Sequence, residues 1–205
     1  VDTAACRPVF PGQARANGRA AGWDRPTAVF VGAHHQPNLE ALACIVRDLA
    51  PAFPQVVFVA AGIHLAAYLD WGGPPPGANV VFAGPVSEAV KEALFALAGV
   101  ALAPMKSGTG SSLKIPDYVA HGKIVIGTPV GLRGFEALAQ SASVIQTPDV
   151  GGALGAVLAR LEQEPEAFDP DCRAARAEVQ AAWDWSVVAR PLVAALGGRP
   201  APGTP

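Results

Sequence analysis

The sequence predicts an α/β domain, a doubly wound and mostly parallel sheet of about six strands with helices on both faces. Three observations carry this expectation. Short runs of Val, Ala, Ile and Phe recur along the chain, bounded by Gly, Pro or Asn, as strands buried on both faces require. Helix-length segments alternate with these runs, and parallel strands need such crossovers. The composition, 51% hydrophobic and 16% charged over 205 residues, suffices to bury one ordinary core.

Taken in order, Val1 to Arg25 carries Pro8, Pro11, Gly12, Gly18 and Gly22 without a sustained period. It reads as a linker or leading segment over 1–25, ahead of a domain spanning 26–196. Ala28 to Gly32 is a buried strand, and Asn38 to Leu49 a helix that Pro37 opens. Val56 to Ala60 is the second strand, followed by a short helix around Leu65 to Leu69. Asn79 to Ala83 is the third, and Ser87 caps a helix running to about Leu97. Val100 to Ala103 is the fourth strand; a polar glycine loop leads to a helix over Ser112 to Ala120, ended at Gly122. Lys123 to Gly127 and Val144 to Gln146 are the last strands, with a short helix at Phe135 to Ala139 between them. Two helices close the domain, Gly152 to Gln163 and roughly Pro170 to Leu196, and 197–205 reads as a flexible tail. Right-handed crossovers make such a sheet doubly wound, and ligands then bind beyond the carboxyl ends of its strands.

Charge excludes one class of partner. With a net charge of -2, a pI near 6.1 and scattered cations, the chain has no basic face for nucleic acid. A few local cations in a cleft still hold a phosphate whatever the total charge. Cys6, Cys44 and Cys172 lie far apart with no CxxC spacing, as idle thiols of a reducing compartment do. No apolar run has the length of a membrane span or the layout of a signal peptide, so a cytoplasmic protein is expected. That leaves a lipid-borne acceptor, reached from the membrane surface, open.

The segment Pro104-Met105-Lys106-Ser107-Gly108-Thr109-Gly110-Ser111-Ser112-Leu113-Lys114 has the makings of an anion site. A strand ends, two glycines let the backbone approach a ligand, and a helix N-terminus follows, flanked by Lys106 and Lys114. The plainer alternative is a strand-to-helix connection with an ordinary Ser N-cap. Two other phosphate motifs are excluded. Gly122-Lys123 is followed by Ile124, so there is no Walker A, and Gly32-Ala33-His34-His35-Gln36-Pro37-Asn38 lacks GxGxxG. The latter disfavours hydride transfer. Adjacent histidines project in different directions, and no Cys or carboxylate stands at ligand spacing from His34-His35, so no metal site is expected.

From Ala103 to Phe135 the sequence resembles the donor region of family-4 glycosyltransferases, in a subgroup with a glycine–serine–threonine loop followed by LK and a carboxylate. The matching residues are Lys106-Ser107-Gly108-Thr109-Gly110, Leu113-Lys114-Ile115 with Asp117-Tyr118, Ala120-His121-Gly122-Lys123, and Thr128-Pro129-Val130-Gly131-Leu132-Arg133-Gly134. Phe30-Val31-Gly32, with His35, Pro37 and Asn38, is similar to the subgroup's first strand and helix start. Val1-Asp2-Thr3 resembles the end of the segment that joins its two domains. The resemblance implies a Rossmann-like fold, the C-terminal half of a GT-B architecture. It implies that Asp117 holds the ribose hydroxyls of a nucleotide, against the alternative of a solvated first-turn carboxylate. It further implies that Ser107, Gly108, Thr109, Gly110, Ser111, Ser112 and Leu113 meet diphosphate and sugar, and that Gly32 and His35 line the cleft. The family's second acid is replaced by Thr109, and its Arg and Lys after the first strand are absent, with Ala33 in the first place. Phosphate charge would then fall to Lys106, Lys114 or Arg133, the first two being the candidate catalytic groups.

The implied reaction is transfer of a hexosyl group from a nucleoside-diphosphate sugar to an acceptor with retention, as in polysaccharide biosynthesis. No cofactor or metal is expected, and the acceptor domain lies outside this sequence. Two alternatives stay open: a nucleotide-sugar epimerase on the same fold, and a non-catalytic nucleotide-sugar-binding domain. Fold alone does not choose among them.

Overall fold

Valine, isoleucine and alanine fill the inner strands because both sheet faces are covered there. The computed structural model describes residues 1–196. Its strands are β1 (Thr27–Val31), β2 (Val57–Ala61), β3 (Val80–Gly84), β4 (Val100–Ala103), β5 (Ile124–Gly127) and β6 (Val144–Gln146). All pair in parallel, in the order β3-β2-β1-β4-β5-β6. The expected sheet is therefore present, and β4 and β6 span the residues read from the sequence.

The helices are α1 (Pro11–Ala20), α2 (Gln36–Cys44), α3 (Ala50–Ala52), α4 (Leu65–Asp70), α5 (Glu88–Leu97), α6 (Lys114–Ala120), α7 (Val150–Gln163), α8 (Asp169–Ala182), α9 (Trp185–Val188) and α10 (Arg190–Ala195). On one face Leu42 of α2 and Leu154 of α7 pack on Phe30, Phe58 and Leu102. On the other, Phe95 of α5, Ile115 and Tyr118 of α6 and Val179 of α8 pack on Val29, Ala101 and Val125. Ser87 caps α5 as expected, its Oγ accepting from the Val90 N–H.

Three elements differ from the sequence reading, each for a local reason. The leading segment contains α1, which opens on Pro11 and buries Pro11, Ala14 and Gly18. Asn17 reaches the Ala96 carbonyl and Gly12 the Asp169 carboxylate, so this helix is part of the packed body. The row on its buried side, Pro11, Ala14 and Gly18 at i, i+3 and i+7, holds only a proline and two small residues, so no apolar period marks it. The helix after β1 passes through a π turn, Ile45–Leu49, between α2 and α3. Pro51 has no N–H for the Arg47 carbonyl, and the Ala50 N–H goes back five residues to Ile45.

The long closing helix expected over Pro170 to Leu196 is broken into α8, α9 and α10. Trp183 leaves the helix path to pack edge-on against Phe135, 5.8 Å between ring centres. Asp184 then accepts from the Ser186 N–H at 2.8 Å and restarts the chain as α9. The tail at 197–205 lies outside the described residues. Among the described residues no helix is long and apolar enough to cross a membrane.

Candidate functional site

β1 and β4 are neighbours, but β1 leads to α2 on one face of the sheet and β4 to α6 on the other. A crevice opens where the two connections part, at the carboxyl edge of the strands. Gly32 to His35 form one wall and the 104–113 loop the other. A side chain at Gly32 would collide with Asn38, its Cβ 2.8 Å from Asn38 Cγ, so glycine lets α2 start close to the strand.

Lys114 occupies the crevice. Its Nζ donates to Asn38 Oδ1 at 2.7 Å and lies 4.4 Å from the centre of the Phe30 ring. Asn38 is oriented in turn by donating from Nδ2 to the Ala33 carbonyl at 2.9 Å. Burial, with a smaller push from the Arg133 charge, brings the Lys114 ammonium down to about 7. A cation held this way, with a neutral amide as its hydrogen-bond acceptor, is poised to pair with an anion.

The loop before it is braced from two sides. Ser107 Oγ donates to Glu40 Oε2 at 2.5 Å, and Gln36 donates to Glu40 Oε1 at 3.0 Å. These bonds, with the nearby Lys106 charge, hold the Glu40 carboxyl below its usual range. Lys106 is exposed and its charge falls on Glu40, Cys44 and Asp48, on the α2 side and apart from Lys114. Arg133 braces the other side, donating to the Val130 carbonyl at 2.6 Å and the Thr109 carbonyl at 3.1 Å. Gly108 has a φ of +125° and passes over this guanidinium, where a Cβ would sit 2.7 Å from Nη2. Thr109, Gly110 and Ser111 are exposed on the rim, and Leu113 stands 72% exposed beside Lys114.

The helix expected from Ser112 begins at Lys114, with Leu113 at its N-cap and no side-chain cap. Ser112 Oγ is buried without a hydrogen-bond partner, as is Arg133 Nε. With α6 only seven residues long, positive charge at the crevice comes chiefly from Lys114. His35 precedes α2 and is exposed without capping it, and His34 is exposed beside it.

Asp117 lies one turn further along α6 and faces α5. Its Oδ2 is 3.7 Å from Lys91 Nζ, and its Oδ1 is 3.4 Å from His121 Nδ1. His121 is 1% exposed and sits 2.8 Å from Glu92 Oε1 through Nε2 and 2.7 Å from the Asp117 carbonyl through Nδ1. Cys6 completes a cluster whose ligand atoms, with those of Asp117 and His121, lie within 4.8 Å of one another. No spacing in the sequence announces this cluster, because Cys6 arrives from the leading segment. Its thiol is pushed up to about 11, chiefly by burial and then by the Asp117 and Glu92 charges.

The structure thus gathers Gly32, Lys114 and the 107–113 loop at the crevice and places Asp117 on its α5 flank. Lys106 and Arg133 serve the loop's outer sides. Glu40, Lys91 and Glu92 were not singled out from the sequence, and His121 entered only within the matching run Ala120-His121-Gly122-Lys123; the Gln36/Glu40 spacing, i to i+4 on one helix face, is the signal that could have found Glu40. A separate cavity of about 260 Å³ opens at the amino ends of β1 and β4, between α1 and α7. Of its polar groups, Trp23 donates to Thr27 and Arg25 to the Gln55 carbonyl.

A six-stranded parallel sheet in the order 3-2-1-4-5-6, with polar groups at its switch point, is a Rossmann-like fold. The chain belongs to the family described as glycosyl transferases group 1, whose pattern matches residues 25–163. Solved structures agree on the fold. Sucrose-phosphate synthase from Thermosynechococcus elongatus matches with a TM-score of 0.69 at 20% identity, over 96% of this chain and 50% of that one. Anabaena Alr3699/HepE, solved in complex with UDP and glucose, matches with a TM-score of 0.71 at 15% identity, over 97% and 55%. The C-terminal domain of a group 1 protein, LpcC from Francisella tularensis, matches with a TM-score of 0.62 at 13% identity, over 90% of this chain and 99% of that domain. The chain therefore spans about half the length of the first two. A comparison with curated proteins by sequence finds no match.

Proposed function

We propose that the chain is the donor-binding domain of a retaining hexosyltransferase, taking a nucleoside-diphosphate sugar at the β1–β4 crevice. The observation that carries this is Lys114, a desolvated cation at the switch point of the sheet with Asn38 as its hydrogen-bond acceptor. As the sugar leaves, charge builds on the β-phosphate, and a fixed cation there stabilises that charge. Amides of the 108–111 loop add donors on the rim, so no divalent metal is required. Asp117 accepts the two ribose hydroxyls on the α5 flank. Anabaena Alr3699/HepE, of the same fold, was solved with UDP and glucose, which supports a nucleotide ligand.

The acceptor is held by a further domain, and sugar transfer needs both. Trp185, Val188 and Leu192, exposed on α9 and α10, form an apolar face that suits cover by that domain. The whole enzyme works at the cytoplasmic side, on an acceptor that a membrane-surface lipid can carry. The isolated chain binds nucleotide and transfers nothing; steady transfer of labelled sugar by this chain alone would overturn the division of labour. Asp117→Asn is expected to weaken UDP or GDP binding by roughly 1–2 kcal/mol, the scale of a hydrogen bond to a charged group. Calorimetry on a variant shown to be folded tests this, and unchanged affinity returns Asp117 to a solvated carboxylate.

A further inference from the structure

Nδ1 of His121 faces a backbone carbonyl, which only accepts hydrogen bonds, and Nε2 faces a carboxylate oxygen of the partly exposed Glu92, which only accepts while that carboxylate is ionised. Nδ1 is 2.7 Å from the Asp117 carbonyl, and Nε2 is 2.8 Å from a Glu92 carboxylate oxygen. A neutral imidazole carries one N–H and one lone pair, and at either contact the lone pair would point at another lone pair. Both contacts are satisfied together when both nitrogens are protonated. The 2.7 Å separation is a hydrogen-bond distance, so a proton occupies the place where a metal would otherwise approach Nδ1. The ring is 1% exposed and lies 4.3 Å from the Phe95 ring centre, so water does not replace either partner.

We infer that His121 is a buried imidazolium, fixed by Glu92, that acts as a positioning residue for the ribose-binding carboxylate of Asp117. The inference rests on the proposed role of Asp117. Its charge lies 3.4 Å from Asp117 Oδ1, while the Lys91 ammonium lies 3.7 Å from Oδ2. Each oxygen thus has one cation near it at ion-pair distance. Lone pairs remain on each oxygen for two vicinal hydroxyls, which is what ribose recognition needs. The groups facing the imidazolium are Glu92, Lys91 and Glu88 from α5, the last holding Lys91 at 2.8 Å, Asp117 from α6 and the Cys6 thiol from the leading segment. From α8, Arg176 donates to the Ala120 carbonyl beside it. Without the imidazolium, Asp117 keeps only Lys91 and turns toward it, so the two hydroxyls are no longer met together.

The test has two arms. Nitrogen-15 NMR of the nucleotide-free chain at pH 7 is expected to show protons on both His121 ring nitrogens, and a single proton in Glu92→Gln. A neutral ring in the wild type overturns the inference. In the second arm, affinities for UDP and 2′-deoxy-UDP are compared in the wild type, His121→Gln and Glu92→Gln, the last with a partly exposed side chain that the fold tolerates. The wild type is expected to prefer UDP about tenfold and both variants less than about twofold, with 2′-deoxy-UDP affinity nearly unchanged. Equal losses for both ligands mean that His121 only supports the fold, and the positioning role falls. Absence of UDP and GDP binding in the wild type overturns the donor-site reading and the positioning role, while the first arm still reads the imidazolium.

Discussion

Lys114 Nζ donates to Asn38 Oδ1 at 2.7 Å, joining the first turn of α6 to the first turn of α2 above the Phe30 ring. The family resemblance implies cations in the segment that follows β1, and this chain has Ala33 and Asn38 there. Among the described residues, the buried ammonium in the crevice is that of Lys114, from the other side of the switch point. It is desolvated before any ligand arrives.

That desolvation predicts proton uptake on binding. Lys114 sits at about 7 in the free protein, below the ordinary lysine value, with burial as the main cause. A diphosphate beside it favours the charged form, so above pH 7 binding takes up a proton. Affinity for UDP should therefore fall as pH rises from about 7 toward the ordinary lysine value. Calorimetry at pH 8 in HEPES and in Tris should differ by the buffers' ionisation heats for the wild type and agree for Lys114→Met. Equal heats in the wild type would remove Lys114 from the phosphate.

Lys123 is a second buried lysine with a different task. It is 1% exposed, and its Nζ donates to the carbonyls of Val9, Phe95 at 2.7 Å and Ala98 at 2.8 Å. Three donors meet three acceptors, tying the leading segment and the end of α5 to β5. Lys123→Met fills the space and strands three carbonyls, which should cost about 3 kcal/mol. Urea unfolding measures this; a loss under about 0.5 kcal/mol would mean that the carbonyls find other donors.

Asp184 fastens the first residues to the break after α8. It accepts from the Thr3 N–H at 2.8 Å and the Thr3 hydroxyl at 2.6 Å as well as from Ser186. Those bonds, the Ser186 contact first, hold its carboxyl well below the usual range. For a depressed carboxyl the fastening is complete above its unfolded value and is lost as pH falls below about 4. Amide exchange of residues 1–6 should rise in that window in the wild type and already be fast at pH 7 in Asp184→Ala. Slow exchange in the variant at pH 7 would assign the fastening to Arg176, which donates to the Thr3 carbonyl at 2.9 Å.

What the sequence disclosed follows from how local each signal is. β4, β6 and the Ser87 cap rest on neighbouring residues, and the structure has them where the sequence placed them. The Gly108 loop was legible as a glycine loop joining a strand to a helix because glycine spacing is local too. The break at Trp183-Asp184 depends on Phe135 and Thr3, far away in the chain, so no helical period foretold it. Likewise Lys114 meets Asn38, and Cys6 meets Asp117 and His121, only once crossovers bring distant segments together. Sequence reading left Lys106, Lys114 and Arg133 unranked as phosphate cations, with Lys106 and Lys114 as the catalytic candidates; burial and partners separate them.

The central claim is that the crevice holds a nucleoside diphosphate through Lys114 without a divalent metal. Titration calorimetry of UDP and GDP into the chain with excess EDTA tests it most directly, repeated with uridine or guanosine and with Lys114→Met. Binding of one diphosphate should persist in EDTA and weaken with added salt, because cation–phosphate attraction is screened. The variant should lose diphosphate affinity while nucleoside affinity stays within about twofold, since base and ribose lie on the α5 flank. Binding abolished by EDTA and restored by Mg²⁺, or equal losses for nucleoside and diphosphate in the variant, would contradict the account.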